Sequence, residues 1–580
     1  MPRTTTLIAT ALTALLSLGL AACSDDDDND RDGVGGAESA GGAESTGGAE
    51  STGGAESTGG AESTGGAEST GGAESTGGAG GAGGAESTGG TESAGGAESA
   101  GGAQSAGGAE SAGGAENGGG MHDMGGAGGE GGAASMPSIL DIATSNPDFS
   151  ILAEAVVKAD LADALAADGL TVFAPTNAAF AALLDALGLE SLDDLSAEQL
   201  RPILLYHVVG AVVNAAAATE LAAGEGNFDS LGGNVSIAQD GDDLVLDGIA
   251  TVAEADVMAS NGIIHVIDAV IVPSITDVVV SDESFSSLEA AVVTAELAAT
   301  LDDDSMAFTV FAPVDQAFAD LVTALSANDS TGISDLGDFT AANLTPVLLY
   351  HVAAEQLSAA DVLGDADGKL EMLGGVADID GSAVTIDGAN ITTTDIITSN
   401  GVIHVIDSVL LPSITDVVTT DAELTSLAAA VGVSDGDGSG LVATLDGPGP
   451  FTLFAPTDAA FGAVIDDNPV ADLGELVTAL GGPSGLTDLL LYHAVGSPIY
   501  AADAVEAAQA TEPANQVGTL LDANETITVT LDGGSVKLND GLDAAAGFAS
   551  LNSATVEVTD VFTANGVIHK IDAVIAPVAP

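Results

Sequence analysis

Two spacings of apolar residues alternate along the chain from about residue 136 onward. Phe149, Leu152 and Val156 fall at helical spacing, as do Phe285, Leu288 and Val292, and predict an amphipathic helix lying on a core. A short apolar run through Phe173 breaks at Pro175 and predicts a strand. Phe180, Leu183, Leu184 and Leu187 then follow at i, i+3, i+4, i+7, with Asn177, matched by Asp315 and Asp458, expected to supply the N-cap oxygen. Leu200, Ile203, Leu204 and His207 repeat the same helical stripe. Farther on, "VSIAQDGDDLVLDGIATV" alternates and is punctuated by turn residues, which predicts hairpin strands. "SNGIIHVIDAVIVP" (260–273) is apolar on both faces and predicts a central strand, with His265, Ile267, Ala269 and Ile271 on one side and Ile264, Val266, Asp268 and Val270 on the other.

These segments return in the same order three times. "PSILDIATSNPDFSILAEAV" at Pro137 answers to segments at Pro273 and Pro412, and "TVFAPTNAAF" at Thr171 to "TVFAPVDQAF" at Thr309 and "TLFAPTDAAF" at Thr452. "LLYHVV", "LLYHVA" and "LLYHAV" form a third set, and the Asn-Gly strand a fourth. Recurrence on this scale marks three domains, at 136–273, 274–412 and 413–577. Each reads as helices first and strands afterwards, an α+β unit. The third departs from the pattern with a Gly-rich insertion at Gly432–Gly440 and extra sequence through Asn515–Ala554.

The N-terminal part is of another kind. Arg3, the apolar run Leu7–Leu20 and Leu20-Ala21-Ala22-Cys23 read as a bacterial lipoprotein signal over residues 1–22, with lipidation expected at Cys23, the sole cysteine. The apolar run is too short to span a bilayer, so the membrane is expected to be met through the lipid anchor only. Residues 23–135 are Asp-rich and then repeat "GGAEST", with no apolar surface to offset chain entropy, and read as a disordered acidic tether. A flexible coil of that length spans about 60 Å, and its glutamates extend it further. His122 and Asp123 lie there between two methionines, a poor set of ligands for a soft metal.

Charge narrows the partners. Of the 580 residues, 87 are Asp or Glu and only 7 Lys or Arg, giving a formal charge of -80 that repels phosphate backbones. Nucleic acid is therefore excluded as a partner, while divalent cations are attracted weakly, without the regular loop of a dedicated calcium site. Aromatics are 3% of the chain, so cores must be built from Ala, Val, Leu and Ile.

Six of the seven histidines belong to the repeats, in Tyr206-His207, Tyr350-His351 and Tyr492-His493, and after the Asn-Gly turns Asn261-Gly262, Asn400-Gly401 and Asn565-Gly566 as His265, His404 and His569. His207, His351 and His493 lie on the apolar side of their helices, where a neutral imidazole needs hydrogen-bond partners. The competing reading keeps the Tyr-His pairs at the surface for recognition. Alternation places His265 and Asp268 on opposite faces, so they form no dyad. Neither a G-x-S-x-G elbow nor a second cysteine supplies a nucleophile. A metalloenzyme using paired histidines is the weaker alternative, since no H-x-x-x-H or H-x-D spacing supports it. No catalytic residue, cofactor or metal site is expected.

"TVFAPTNAAF", "LLYHVV" and "NGIIHVIDAVIVP" resemble the blocks of the fasciclin domain family, over nearly all of residues 136–577. The resemblance implies three tandem fasciclin-like domains, each with helices packed on a β-sandwich wedge. It also implies adhesion or extracellular-matrix attachment, with matrix or cell-surface proteins or polysaccharides as partners. In animal members the Tyr-His region is tied to integrin binding. That role would carry onto Tyr206 and His207, Tyr350 and His351, and Tyr492 and His493, although bacteria lack integrins. With the lipoprotein signal, this places the chain in the cell envelope, anchored at the outer membrane or displayed on the extracellular surface. An acidic, cation-binding structural envelope protein is the remaining alternative.

Overall fold

The computed structural model describes residues 136–577, apart from 225, 304, 365–367, 437, 439, 511–514, 523, 524, 540–550 and 552. The signal, Cys23 and the tether lie outside the described residues.

In each domain the first strand finds its partner in the last. Leu170–Pro175 runs parallel to Gly262–Ile267, with Phe173 opposite His265, and Val208–Val209 flanks it on the other side. The same pairing sets Phe308–Pro313 beside Gly401–Ile406 and Phe451–Pro456 beside Gly566–Ile571. The order "helices first, strands afterwards" is thus corrected: one strand falls in the middle of the helices, because a parallel pair needs a long crossover between its members. The remaining strands pair antiparallel, giving seven strands per domain among the described residues. In the first domain they close into a barrel. The wedge shape survives within it, since Gly233–Asp240 pairs with one neighbour along its first half and another along its second.

The central strand divides two cores. On one face Ile264 and Val270 meet the helical layer, Ile139, Phe149, Leu152, Val156, Phe180 and Leu200 among it. On the other, Ile267 and Ile271 join Phe173, Tyr206, Val235 and Leu246 inside the barrel. Both later domains repeat this division. Small aliphatic residues suffice because seven strands and the helical layer shield the central strand from both sides.

Asn177 does not cap its own helix. Thr176 is the N-cap of Asn177–Ala186 and accepts from the Ala179 N–H. The Asn177 side chain instead accepts from the Ile151 N–H at 3.0 Å and donates to the Pro147 carbonyl at 2.8 Å, tying down the start of Ser150–Lys158. Asp315 and Asp458 likewise accept from the Ser287 and Ser426 N–H groups. A short polar side chain on the first helical turn reaches the neighbouring helix's free N–H groups as readily as its own. In the third domain the sequence at Gly432 continues the helix Thr425–Asp435 rather than opening a loop.

The junctions between domains are hydrogen-bonded. Ser274 begins the second domain as the N-cap of Ile275–Ser281, in a capping box with Asp277. One Asp277 oxygen closes that box. The other accepts from the Asn234 N–H of the first domain at 2.7 Å. A Cβ on Gly233, at φ +132°, would overlap the Asp277 side chain. Asp416, Val376 and Gly375 repeat this arrangement at the second junction. A helix of each leading domain also docks on a bulged strand of the next. Gln199 donates to the Thr394 carbonyl at 3.1 Å, and Asn343 to those of Thr559 and Asp560 at 2.9 and 2.8 Å. Beside these bonds Ile397 packs against the first domain's core and Phe562 against the second's, its ring 5.7 Å from that of Phe339.

Candidate functional site

The Tyr-His helices end inside the protein. Tyr206 and His207 are 3% and 1% exposed, and Tyr350, His351, Tyr492 and His493 are buried likewise. His207 Nε2 accepts from the Ile271 N–H at 3.2 Å. This leaves Nδ1 protonated, donating to the Ile203 carbonyl at 2.7 Å. His351 bridges Leu410 and Val347 in the same way, and His493 bridges Ile575 and Leu489. Each ring thereby joins the last turn of a helix to the strand exit that leads out of the domain. Burial holds all three down to about 4, so they are neutral at physiological pH.

The phenols are bound from below. Tyr206 donates to the Asn234 carbonyl at 3.0 Å, Tyr350 to that of Val376 and to Asp387, and Tyr492 to that of Thr526. Burial raises their pKa values. These placements correct the reading of the pairs as surface residues: helical periodicity turns both rings inward, where a ligand at the surface meets neither.

The strand histidines take the opposite tautomer. The Asp256 N–H donates to His265 Nδ1 at 3.3 Å, so Nε2 carries the proton and donates to the Val213 carbonyl at 2.8 Å. Asp395 and Leu357 serve His404, and Asp560 and Ile499 serve His569. Each imidazole also lies against a phenylalanine, Phe173, Phe311 or Phe454, with centroids 5.4 to 5.5 Å apart. Both nitrogens of all six rings are thus engaged by backbone groups, which leaves none to take up a proton from a substrate or to hold a metal. Among the described residues no group of three or more His, Cys, Asp or Glu is placed to hold a metal ion.

The aspartates behind these histidines were not singled out by sequence reasoning. Asp256, Asp395 and Asp560 sit at φ values of 57° to 59°, at the bulge of the strand beside the central one. Their carboxylates accept from the first N–H groups of helices that come earlier in each domain, at Ala215, Ala359 and Ala501. A repeated Asp nine residues before each histidine was the available signal. Asp560, covered by the second domain's helix, is raised to about 7 by burial.

The Asn-Gly turns are clasps. Asn261 accepts from the Ile139 N–H at 2.9 Å and donates to the carbonyls of Leu165 and Ala167, while Pro137 accepts from the Ser260 N–H. Asn400 and Asn565 hold Ile275 and Ile414 in the same way. Gly262, Gly401 and Gly566 follow because a Cβ there would collide with the neighbouring strand's backbone.

The first junction also encloses a cleft of about 640 Å³, lined by Arg201 and Pro202 of the first domain and by Asp282, Thr393, Ile396 and Val405 of the second. At the second junction Lys570 stands where Val405 does, buried and paired with Asp421 at 2.7 Å and Glu423 at 2.6 Å.

Three pairs of structural histidines, three seven-stranded sheets with the same parallel first-to-last pairing and three Asn clasps describe one module used three times. The fasciclin domain model matches residues 147–273, 283–412 and 425–577, and the chain belongs to that family. It is 25% identical to human periostin over 449 residues, 76% of this chain and 47% of that protein. Pig transforming growth factor-beta-induced protein ig-h3 is likewise 25% identical, over 76% of this chain and 58% of its own length. Protein sll1483 of a Synechocystis strain is 44% identical over 134 residues, 23% of this chain and 72% of that protein. The chain thus spans about half the length of its periostin relative. A solved FAS1 domain pair from the insect cell adhesion molecule Fasciclin I is matched over 47% of this chain and 99% of that one, at 20% identity and a TM-score of 0.25.

Proposed function

We propose that this is a lipid-anchored surface protein whose three fasciclin domains attach the cell to matrix or to other surfaces. The observation that carries the reading is the use of one family module three times, with every repeated histidine engaged by the module's own backbone. Such a chain multiplies contact surfaces instead of active sites. Its ligands are cell-surface or matrix proteins or polysaccharides, met by exposed surface rather than by the buried Tyr-His pairs. The acyl chains on Cys23 hold it in the envelope, and the acidic tether gives the domains reach beyond the membrane.

Two measurements test this. Beads coated with the three-domain head should adhere to cells or matrix more strongly than beads carrying an equal mass of one domain, and equal adhesion would remove the multivalent mechanism. Cys23→Ala should move the protein from the membrane fraction to the soluble one. Unchanged fractionation of that variant would end the lipoprotein reading.

A further inference from the structure

Docking between domains has a direction, and both ends of the chain break it differently. At each junction the leading domain contributes a helix and the following domain a bulged strand carrying an apolar knob, Ile397 or Phe562. In the first domain the corresponding strand is Ala250–Ala259, and its knob is Met258. Among the described residues no domain precedes it. Met258 is 56% exposed where Phe562 is 4% exposed, and Ala253, Glu254, Ala255 and Asp256 are exposed where Thr394, Asp395, Thr559 and Asp560 are half-buried or buried.

The opposite end lacks a matching helix. The third domain's helix Pro483–Tyr492 carries Gly485 where Gln199 and Asn343 supply the amide. Gly481 replaces Phe339, which holds the Phe562 ring, and Asp488 replaces Pro202, which lines the first junction. Neither Gly481 nor Gly485 is open to simple repair: the first sits at φ +94°, and a Cβ on the second would collide with the Leu480 carbonyl. A second copy of this chain therefore has no free helix that fits the Met258 face, since its two competent helices are already docked within it.

We infer that the bulged strand around Met258 is a docking site for a fasciclin domain of a different polypeptide, one whose free helix keeps the amide on its first turn and an apolar residue just before its N-cap. Both internal junctions show what covers this surface, and the first domain retains the receiving side: the bulge, the carbonyl groups at Ala255 and Asp256, and the knob. Burying an exposed methionine and pairing those carbonyls favours association. An unblocked helix at the far end would instead let identical chains add head to tail without closing. The third domain offers no such helix, so identical copies do not add to one another through it. The inference stands on junction geometry and is independent of whether the chain adheres to matrix.

The test uses the whole wild-type chain as the soluble species. The immobilised probe is a variant in which residues 413–577 are replaced by a second copy of residues 274–412, so that its last domain bares Phe339, Asn343 and Pro346. The wild-type chain should bind this probe, and Met258→Asp in the wild-type chain should weaken binding by about tenfold or more, as for loss of a central interface anchor. Met258 is exposed, so that substitution leaves the fold intact. Absence of binding to a probe that melts cooperatively, or binding that Met258→Asp does not change, overturns the inference. If the probe does not fold, a chain ending at Pro412 bares the same helix and is read in the same way. Self-association of the wild-type chain that Met258→Asp abolishes would also overturn it, by showing that the third domain's helix is competent after all.

Discussion

Asp256 lies nine residues before His265 and reaches it across a strand pair, its N–H donating to Nδ1 while its carboxylate accepts from the Ala215 N–H. One residue in left-handed backbone thus fixes a buried imidazole's tautomer and caps a helix. The left-handed conformation costs an aspartate little, because a short polar side chain tolerates it. Asp395 and Asp560 hold their histidines in the same way, which makes this a recurrent joint of the fold.

The first prediction concerns the helix-end histidines. His207→Ala removes the ring that joins the Ile203 carbonyl to the Ile271 N–H, leaving both groups buried and unpaired. The first domain should lose about 1–3 kcal/mol or somewhat more, given the cavity, read as a lower melting temperature for that domain alone. A variant of unchanged stability that no longer adheres would mean that the pair recognises a ligand directly.

Stability should fall on the acid side, with opposing contributions in the third domain. Burial holds His207, His351, His493 and His569 at about 4 in the folded chain, below their ordinary 6.5. Between those values the unfolded chain binds protons that the folded chain refuses, so stability is lost as pH falls from 6.5 towards 4. Asp560 is displaced the other way, from 3.8 up to about 7, so the folded form holds its proton first and gains stability as pH falls through 7. Asp560→Asn should therefore steepen the acid loss of the third domain. Hydrogen exchange resolved by domain at pH 7 and pH 5, corrected for intrinsic rates, reads it. Identical losses in variant and wild type would contradict the assignment.

Lys570 is a buried cation whose partners stay behind when it is removed. Lys570→Ala should destabilise the third domain by about 3 kcal/mol, because Asp421 remains largely buried and uncompensated. Lys570→Val combined with Asp421→Asn, which restores the apolar residue of the other domains, should recover most of that loss. Denaturant melts of the two variants settle the matter, and equal destabilisation would show that volume, not charge, is at stake.

At the first junction, Gly233→Ala should undo the contact between domains while sparing each domain's core. The new methyl group overlaps the Asp277 side chain and displaces it from the Asn234 N–H. Faster proteolysis between the first two domains, with little change in either domain's melting, is the expected result. A cleavage rate like that of wild type would mean that the helix-on-strand contact of Gln199 holds the junction alone.

Much of this fold is legible from periodicity. Phe149, Leu152 and Val156 point inward as their spacing predicts, and alternation sorts His265 and Ile267 from Ile264 and Val270 onto the two sides that the cores occupy. Asn177 was read for the wrong helix because one-dimensional pattern ranks the nearest N-terminus first, whereas its oxygen faces Ile151, 26 residues earlier. Gln199 shows a deeper limit. Its partner Thr394 is 195 residues away in another domain, and nothing in a helix-forming amide announces such a contact. Repetition was the stronger guide: "SITD" at two domain starts encodes a capping box whose spare oxygen serves the neighbour.

The Asn-Gly clasps give the chain a line along which tension travels. Pro137 and Ile139 are held to Ser260 and Asn261, and from there the same strand leads to Pro273, where Ser399 and Asn400 take hold in turn. A third clasp binds Pro412 and Ile414 to Ala564 and Asn565. A pull applied at the N-terminal side of Pro137 is thus relayed from one central strand to the next, while the hairpins and most of the helices lie off the path. Force would be felt first as shear at Asn261, and stretching single molecules of Asn261→Ala should open the first domain at lower force than wild type. The strand that carries the second histidine of each repeat is thus also the tension member of its domain.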